Sequence, residues 1–92
     1  MPQRIHVMVE GKVQGVFFRD TTRRKALELG ICGWVRNVPT GEVEAYLEGS
    51  ESAIDAMLAW LWEGPPHASV EDVRVISKEQ GESEYASFDV VY

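Results

Sequence analysis

Between residues 4 and 13, Ile5, Val7 and Val9 alternate with His6, Met8 and Glu10. This period of two leaves one face of a strand buried. Over residues 20–29 the period lengthens: Thr22, Ala26 and Leu29 fall at helical spacing, Arg23, Arg24, Lys25 and Glu28 take the other faces, and Gly30 stands where a helix ends on a left-handed residue. Strands are predicted over 31–38 and 42–48, on either side of Pro39, Thr40 and Gly41. There proline presets one turn dihedral and glycine supplies the positive one. Val43, Ala45 and Leu47 alternate with Glu42, Glu44, Tyr46 and Glu48 and set the hairpin register. A second helix is predicted to open at Ser52, with Asp55 completing a capping box, and Ile54, Met57, Leu58 and Leu61 form its apolar stripe. Gly64, Pro65 and Pro66 stop it.

Residues 70–77 read as a strand, 78–84 as a polar loop and 86–92 as a last strand with Phe88, Val90 and Tyr92 in phase. The resulting order is strand, helix, strand, strand, helix, strand, with an extra strand at the end. It predicts an α+β fold, a ferredoxin-like split βαβ sandwich with two helices on one face of a mostly antiparallel sheet. The expectation is one domain over residues 1–92. Such a fold does not fix a function.

Charge narrows the possibilities. The chain of 92 residues carries a net charge of -6, which disfavours attraction to nucleic acid or to an anionic membrane. Through Arg36, however, seven basic residues face three acidic ones, a net of +4, which leaves -10 for the remainder. An anion site therefore belongs in the first part of the chain. The single cysteine, Cys32, excludes an intrachain disulfide and points to a reducing, cytoplasmic setting, where it serves as a small packed residue rather than a nucleophile. The longest apolar run, residues 56–62, is too short to span a bilayer, so no membrane association is expected. His6 and His67 stand apart in sequence, so no metal is predicted. Trp60 and Trp62 flank Leu61 and cannot both join the stripe, while Glu42, Glu44, Glu48 and Glu51 read as a solvated strand face and helix entrance.

Candidate chemistry concentrates between the first strand and the first helix, in Gly11, Lys12, Val13, Gln14, Gly15, Val16, Phe17, Phe18 and Arg19. A glycine-bracketed loop entering a helix presents backbone N–H groups in a concave nest, where the helix dipole favours an anion. The guanidinium of Arg19 could grip two phosphate oxygens at once. The spacing matches neither a Walker loop nor a dinucleotide-binding glycine motif, and taken alone it fits a tight turn beside a surface arginine equally well. Adjacent Phe17 and Phe18 read as packing residues before ligand contacts. Asn37, just before the hairpin, is either a turn former or an amide able to hold a water.

Several motifs occur together in order: the string from Gly11 to Arg19, then Gly33, Trp34, Val35, Arg36 and Asn37, then Gly41, Val43 and Glu44, Glu48 and Gly49, and finally Gly64, Pro65, Pro66, Ala68 and Val70. Along essentially the whole chain this resembles the acylphosphatase family. The resemblance implies hydrolysis of the carboxyl–phosphate bond of acyl phosphates, with Arg19 as the phosphate-binding arginine, Asn37 as the water-orienting asparagine and Gln14, Gly15, Val16, Phe17 and Phe18 as the phosphate-cradling loop. Thr40 stands where relatives often have aspartate or asparagine, a change expected to alter the turn rather than the chemistry.

Elementary chemistry agrees with that implication. A mixed anhydride has a good leaving group, so its expulsion needs no general acid and little help from a metal, and phosphoryl transfer becomes mainly a matter of positioning and charge neutralisation. An amide can aim a water but cannot deprotonate it. The proton is then expected to go to the substrate's own phosphate oxygen, without a phosphoenzyme and without a cofactor. An RNA-binding module shares the strand order, but its central strands would need exposed aromatic and basic residues where this chain has His6, Met8, Glu44 and Tyr46. A sensor of a phosphorylated metabolite would need Arg19 and the loop but would place no demand on Asn37. A small-molecule acyl phosphate substrate and a monomer are expected. Acetyl phosphate, carbamoyl phosphate, 1,3-bisphosphoglycerate and aspartyl-phosphate proteins all share the reacting group.

Overall fold

The computed structural model describes residues 2–15, 17–81 and 84–91. In chain order its elements are β1 (Gln3–Lys12), α1 (Phe18–Leu29), β2 (Cys32–Asn37), β3 (Val43–Gly49), α2 (Glu51–Glu63), β4 (Ser69–Gln80) and β5 (Phe88–Val91). The strands form one sheet in the order β4-β1-β3-β2-β5. β1 runs antiparallel to both β3 and β4, β2 is antiparallel to β3, and β5 joins β2 in parallel.

The alternation along β1 sets the core. Ile5, Val7 and Val9 pair with Leu47, Ala45 and Val43, and all six are buried on the face that receives the helices. α1 contributes Phe18, Thr22 and Ala26, and α2 contributes Ile54, Met57 and Leu61. Fully burying a large aliphatic side chain contributes about 1.5–3 kcal/mol relative to leaving it in water, so this layer carries most of the stability. Gly30 ends α1 in the left-handed conformation, and its N–H returns to the last turn. Trp60 packs against Phe18 with ring centroids 5.9 Å apart, whereas Trp62 is half exposed.

Three boundaries differ from expectation. The cap of α2 is Ser50, whose hydroxyl accepts from Ala53 N at 3.2 Å, so Ser52 lies inside the helix and the proposed box with Asp55 does not form the cap. β4 continues to Gln80 because residues 78–80 pair with the first residues of β1, and tertiary pairing overrides their polar composition. β5 begins at Phe88 rather than at 86, and Tyr92 lies outside the described residues. β4 is a long edge strand that leaves Val75 and Ile76 half exposed. Ile76 is the extra residue of a bulge, between Val75 and Ser77, which face Val7 and His6. Bulges and the neighbouring charges Arg74, Lys78 and Glu79 are known means of blunting an edge against further pairing.

The acidic run on β3 is not a solvated face. Glu48 is 1% exposed and accepts hydrogen bonds from Glu84 N and Tyr85 N, because the segment before β5 folds across that side of the sheet. Glu44 is buried between Arg36 Nε at 2.5 Å and His6 Nε2 at 2.6 Å. Trp34 stacks on Tyr46 at 6.2 Å beside them, and its indole N–H bonds the Tyr85 hydroxyl at 3.2 Å. Burial acts to raise the Glu44 carboxyl, but hydrogen bonds from Arg36 and His6, reinforced by their charges, outweigh it and hold it below its ordinary value of 4.5. The folded chain therefore binds this proton more weakly than the unfolded chain. The stability Glu44 contributes is complete above its unfolded value and is lost as the pH falls through the depressed folded one. Melting curves are expected to show a gap between the parent and Glu44→Gln that is widest near neutrality and narrows as the pH falls below the ordinary carboxyl value of 4.5. A gap of constant width would mean that the carboxylate charge is not what the pair stabilises.

Candidate active site

β1 ends in a tight crossing. Gly11 has φ 125°, and a Cβ there would lie 2.1 Å from the Ser69 carbonyl oxygen, so only glycine lets the chain leave the sheet at this point. Val13 then turns into the core, and Gln14 turns toward the β2–β3 hairpin. Its Nε2 donates to Val38 O at 2.8 Å and to Glu42 O at 2.9 Å. The same two residues close the hairpin through Val38 N and Glu42 O at 3.0 Å. The side chain of Gln14 thus ties the loop to the strand end that carries Asn37, instead of lining the cavity. In the hairpin, the Thr40 hydroxyl donates to the Glu42 carboxylate at 2.9 Å, and this bond, ahead of those from Arg74, lowers the Glu42 carboxyl from its ordinary value.

Past Gln14 the backbone is left-handed at Gly15, with φ 73°, and again at Phe17, with φ 60°. Val16 lies outside the described residues. Phe17 is the N-cap of α1 and makes no side-chain capping bond. Its carbonyl accepts from Thr21 N at 3.0 Å and from Thr21 Oγ1 at 2.8 Å, which starts the helix. The two phenylalanines separate: Phe18 is 1% exposed in the core and Phe17 is 77% exposed.

A cavity of about 250 Å³ lies over this helix entrance, lined by Val13, Gly15, Phe17, Phe18, Arg19, Asp20 and Asn37. It brings together Arg19 and Asn37, which the sequence places on different elements. Asn37 Oδ1 is buried and has no hydrogen-bond partner. No donor within the protein therefore uses this acceptor. The first N–H groups of α1, unused within the helix, supply partial positive charge beside it. Asp20 also lines the cavity and was not singled out by the sequence, although an acid in a helix's first turn is electrostatically favoured there. Among the described residues no group of three or more His, Cys, Asp and Glu could hold a metal ion, and no helix is long and apolar enough to cross a membrane.

The chain as a whole has counterparts among known proteins. The sequence model of the family described as Acylphosphatase matches residues 5–90. An acylphosphatase of Syntrophus aciditrophicus is 47% identical over all of this chain and 95% of its own length. One of Rubrobacter xylanophilus is 58% identical over 79% of this chain and 66% of its own length. The crystal structure of the acylphosphatase from Bacillus subtilis superposes with a TM-score of 0.92 at 33% identity, covering 100% of both chains. With the family model spanning nearly the whole sequence and full-length relatives this similar, the chain belongs to the acylphosphatase family.

Proposed function

We propose that this acylphosphatase cleaves its substrate by direct attack of a water held on Asn37 at a phosphoryl group seated between Arg19 and the N–H groups of the preceding loop and helix turn. The phosphoryl oxygens take the guanidinium fork and the helix N-terminus, the strongest local sources of positive charge. The water donates one O–H to Asn37 Oδ1 and directs a lone pair at phosphorus. As its oxygen bonds to phosphorus, the bond from phosphorus to the acyl oxygen breaks and its electron pair leaves on the carboxylate. The water's proton passes to a phosphoryl oxygen, since an amide cannot take it. The products are a free carboxylate and inorganic phosphate, and no phosphate is ever attached to the protein.

The single observation that carries this reading is the buried, partnerless Asn37 Oδ1 in the same cavity as Arg19. A site that only bound phosphate would place no demand on an acceptor at Asn37. The accompanying expectations are a monomer and, from the lone Cys32, a reducing, cytoplasmic setting.

Steady cleavage of acetyl phosphate and benzoyl phosphate in excess chelator is the expected result, with a simple phosphomonoester left intact. An alkoxide leaving group would need a proton that no residue in this mechanism supplies. A burst of carboxylate with labelled phosphate retained on the protein would overturn direct attack by water. Absence of cleavage together with a phosphate-dependent rise in melting temperature would reduce the site to a binding function.

A further inference from the structure

Phe17 is the only non-glycine residue with positive φ among the described residues. For a bulky side chain that backbone is unfavourable, and glycine or asparagine would accept it with less strain. The core gives nothing back: the ring is 77% exposed while its neighbour Phe18 fills the interior. Two bonds from Thr21 to the Phe17 carbonyl fix the conformation at the start of α1. A residue that is both strained and solvated, held on the rim of a cavity, is where strain is expected to serve binding.

We infer that Phe17 reads the acyl group, and that the substrates this enzyme prefers carry an aromatic or extended apolar acyl group. The inference rests on the seating of the phosphoryl group proposed above. With phosphorus between Arg19 and Asn37, the rest of the substrate must extend toward the mouth of a cavity of about 250 Å³, and among the described lining residues the exposed apolar surface is the Phe17 ring. An apolar acyl group laid on that ring removes both surfaces from water, whereas a short acyl group covers little of it. The other charged side chain on the rim is Asp20, a carboxylate that repels an acyl group bearing its own negative charge.

The test compares kcat/KM for benzoyl phosphate and acetyl phosphate in the parent, Phe17→Gly, Phe17→Asn and Phe17→Tyr. Glycine and asparagine both accept the left-handed backbone, so the loop keeps its course without the ring. The benzoyl-to-acetyl ratio is expected to fall about tenfold in Phe17→Gly and Phe17→Asn, equivalent to about 1.4 kcal/mol of transition-state binding, and to be retained in Phe17→Tyr. Phe17→Gly is also expected to melt no lower than the parent, since it relieves strain and loses no core contact. A ratio unchanged in every variant, with acetyl phosphate still cleaved by the parent, overturns the acyl-group role and leaves the phosphoryl site standing. If the parent cleaves neither substrate, the phosphoryl reading fails and this inference fails with it.

Discussion

Arg19→Ala is expected to lower kcat/KM for acyl phosphates by about 10³-fold or more, the range in which a fixed cation on a transferring phosphoryl group acts. Of the residues that line the cavity, Arg19 alone carries a positive side chain, and the chain as a whole is acidic, with a net charge of -6. The field proposed to draw a dianion to this place is therefore local. It comes from the guanidinium and the first turn of α1, and removing the guanidinium leaves the helix N-terminus as the remaining attraction. Arg19→Lys is expected to recover little, because an ammonium offers a point charge where the phosphoryl oxygens meet a planar fork. Inorganic phosphate is expected to raise the melting temperature of the parent and to do so much less in these variants, since a ligand stabilises a fold only as far as it binds. Arg19→Ala that keeps both the rate and the phosphate protection would move the phosphoryl site elsewhere. Far-ultraviolet circular dichroism should remain that of the parent, because the α1 side chains in the core are Phe18, Thr22 and Ala26.

The elements that show through the sequence are those whose signals are local. Ile5, Val7 and Val9 announce β1 by alternation, Gly30 announces the end of α1, and Ile54, Met57 and Leu61 announce the buried side of α2, because each pattern is a direct trace of one face meeting the core. What escapes notice depends on contacts distant in the chain. Glu48 looks solvent-facing until the backbone at Glu84 and Tyr85 closes over it, and residues 78–80 look like a loop until β1 offers them a partner. Ser50 caps α2 with its hydroxyl on Ala53 N, which the more box-like spacing of Ser52 and Asp55 obscures. At the site, the glycine loop and Arg19 are legible as an anion-binding pattern, and the family resemblance picks out Asn37. The opposite fates of Phe17 and Phe18 hang on a single left-handed residue, and the bonds from Gln14 to Val38 and Glu42 span a fold that no periodicity reveals.

Asn37→Ala is expected to lower turnover by about 10²–10³-fold, the effect of removing one group that acts on the reacting atoms, while inorganic phosphate still binds and still raises the melting temperature. The two halves of that result separate water from phosphate. In the proposed seating Arg19 and the helix turn hold the phosphoryl group, so affinity survives; the water loses its acceptor, so its lone pair is no longer aimed. Stability should stay near that of the parent. Asn37 Oδ1 has no hydrogen-bond partner within the protein, so alanine breaks no intramolecular bond made by that oxygen. Had Asn37 been kept as a turn former for the hairpin, its loss would lower the melting temperature. The turn has other supports: Gly41 N bonds Val38 O at 3.0 Å, and Gln14 braces Val38 and Glu42 from the loop side. Lost turnover with retained phosphate binding and undiminished stability is therefore the signature of a water-orienting amide, and a lower melting temperature with parent turnover would assign Asn37 to the hairpin instead.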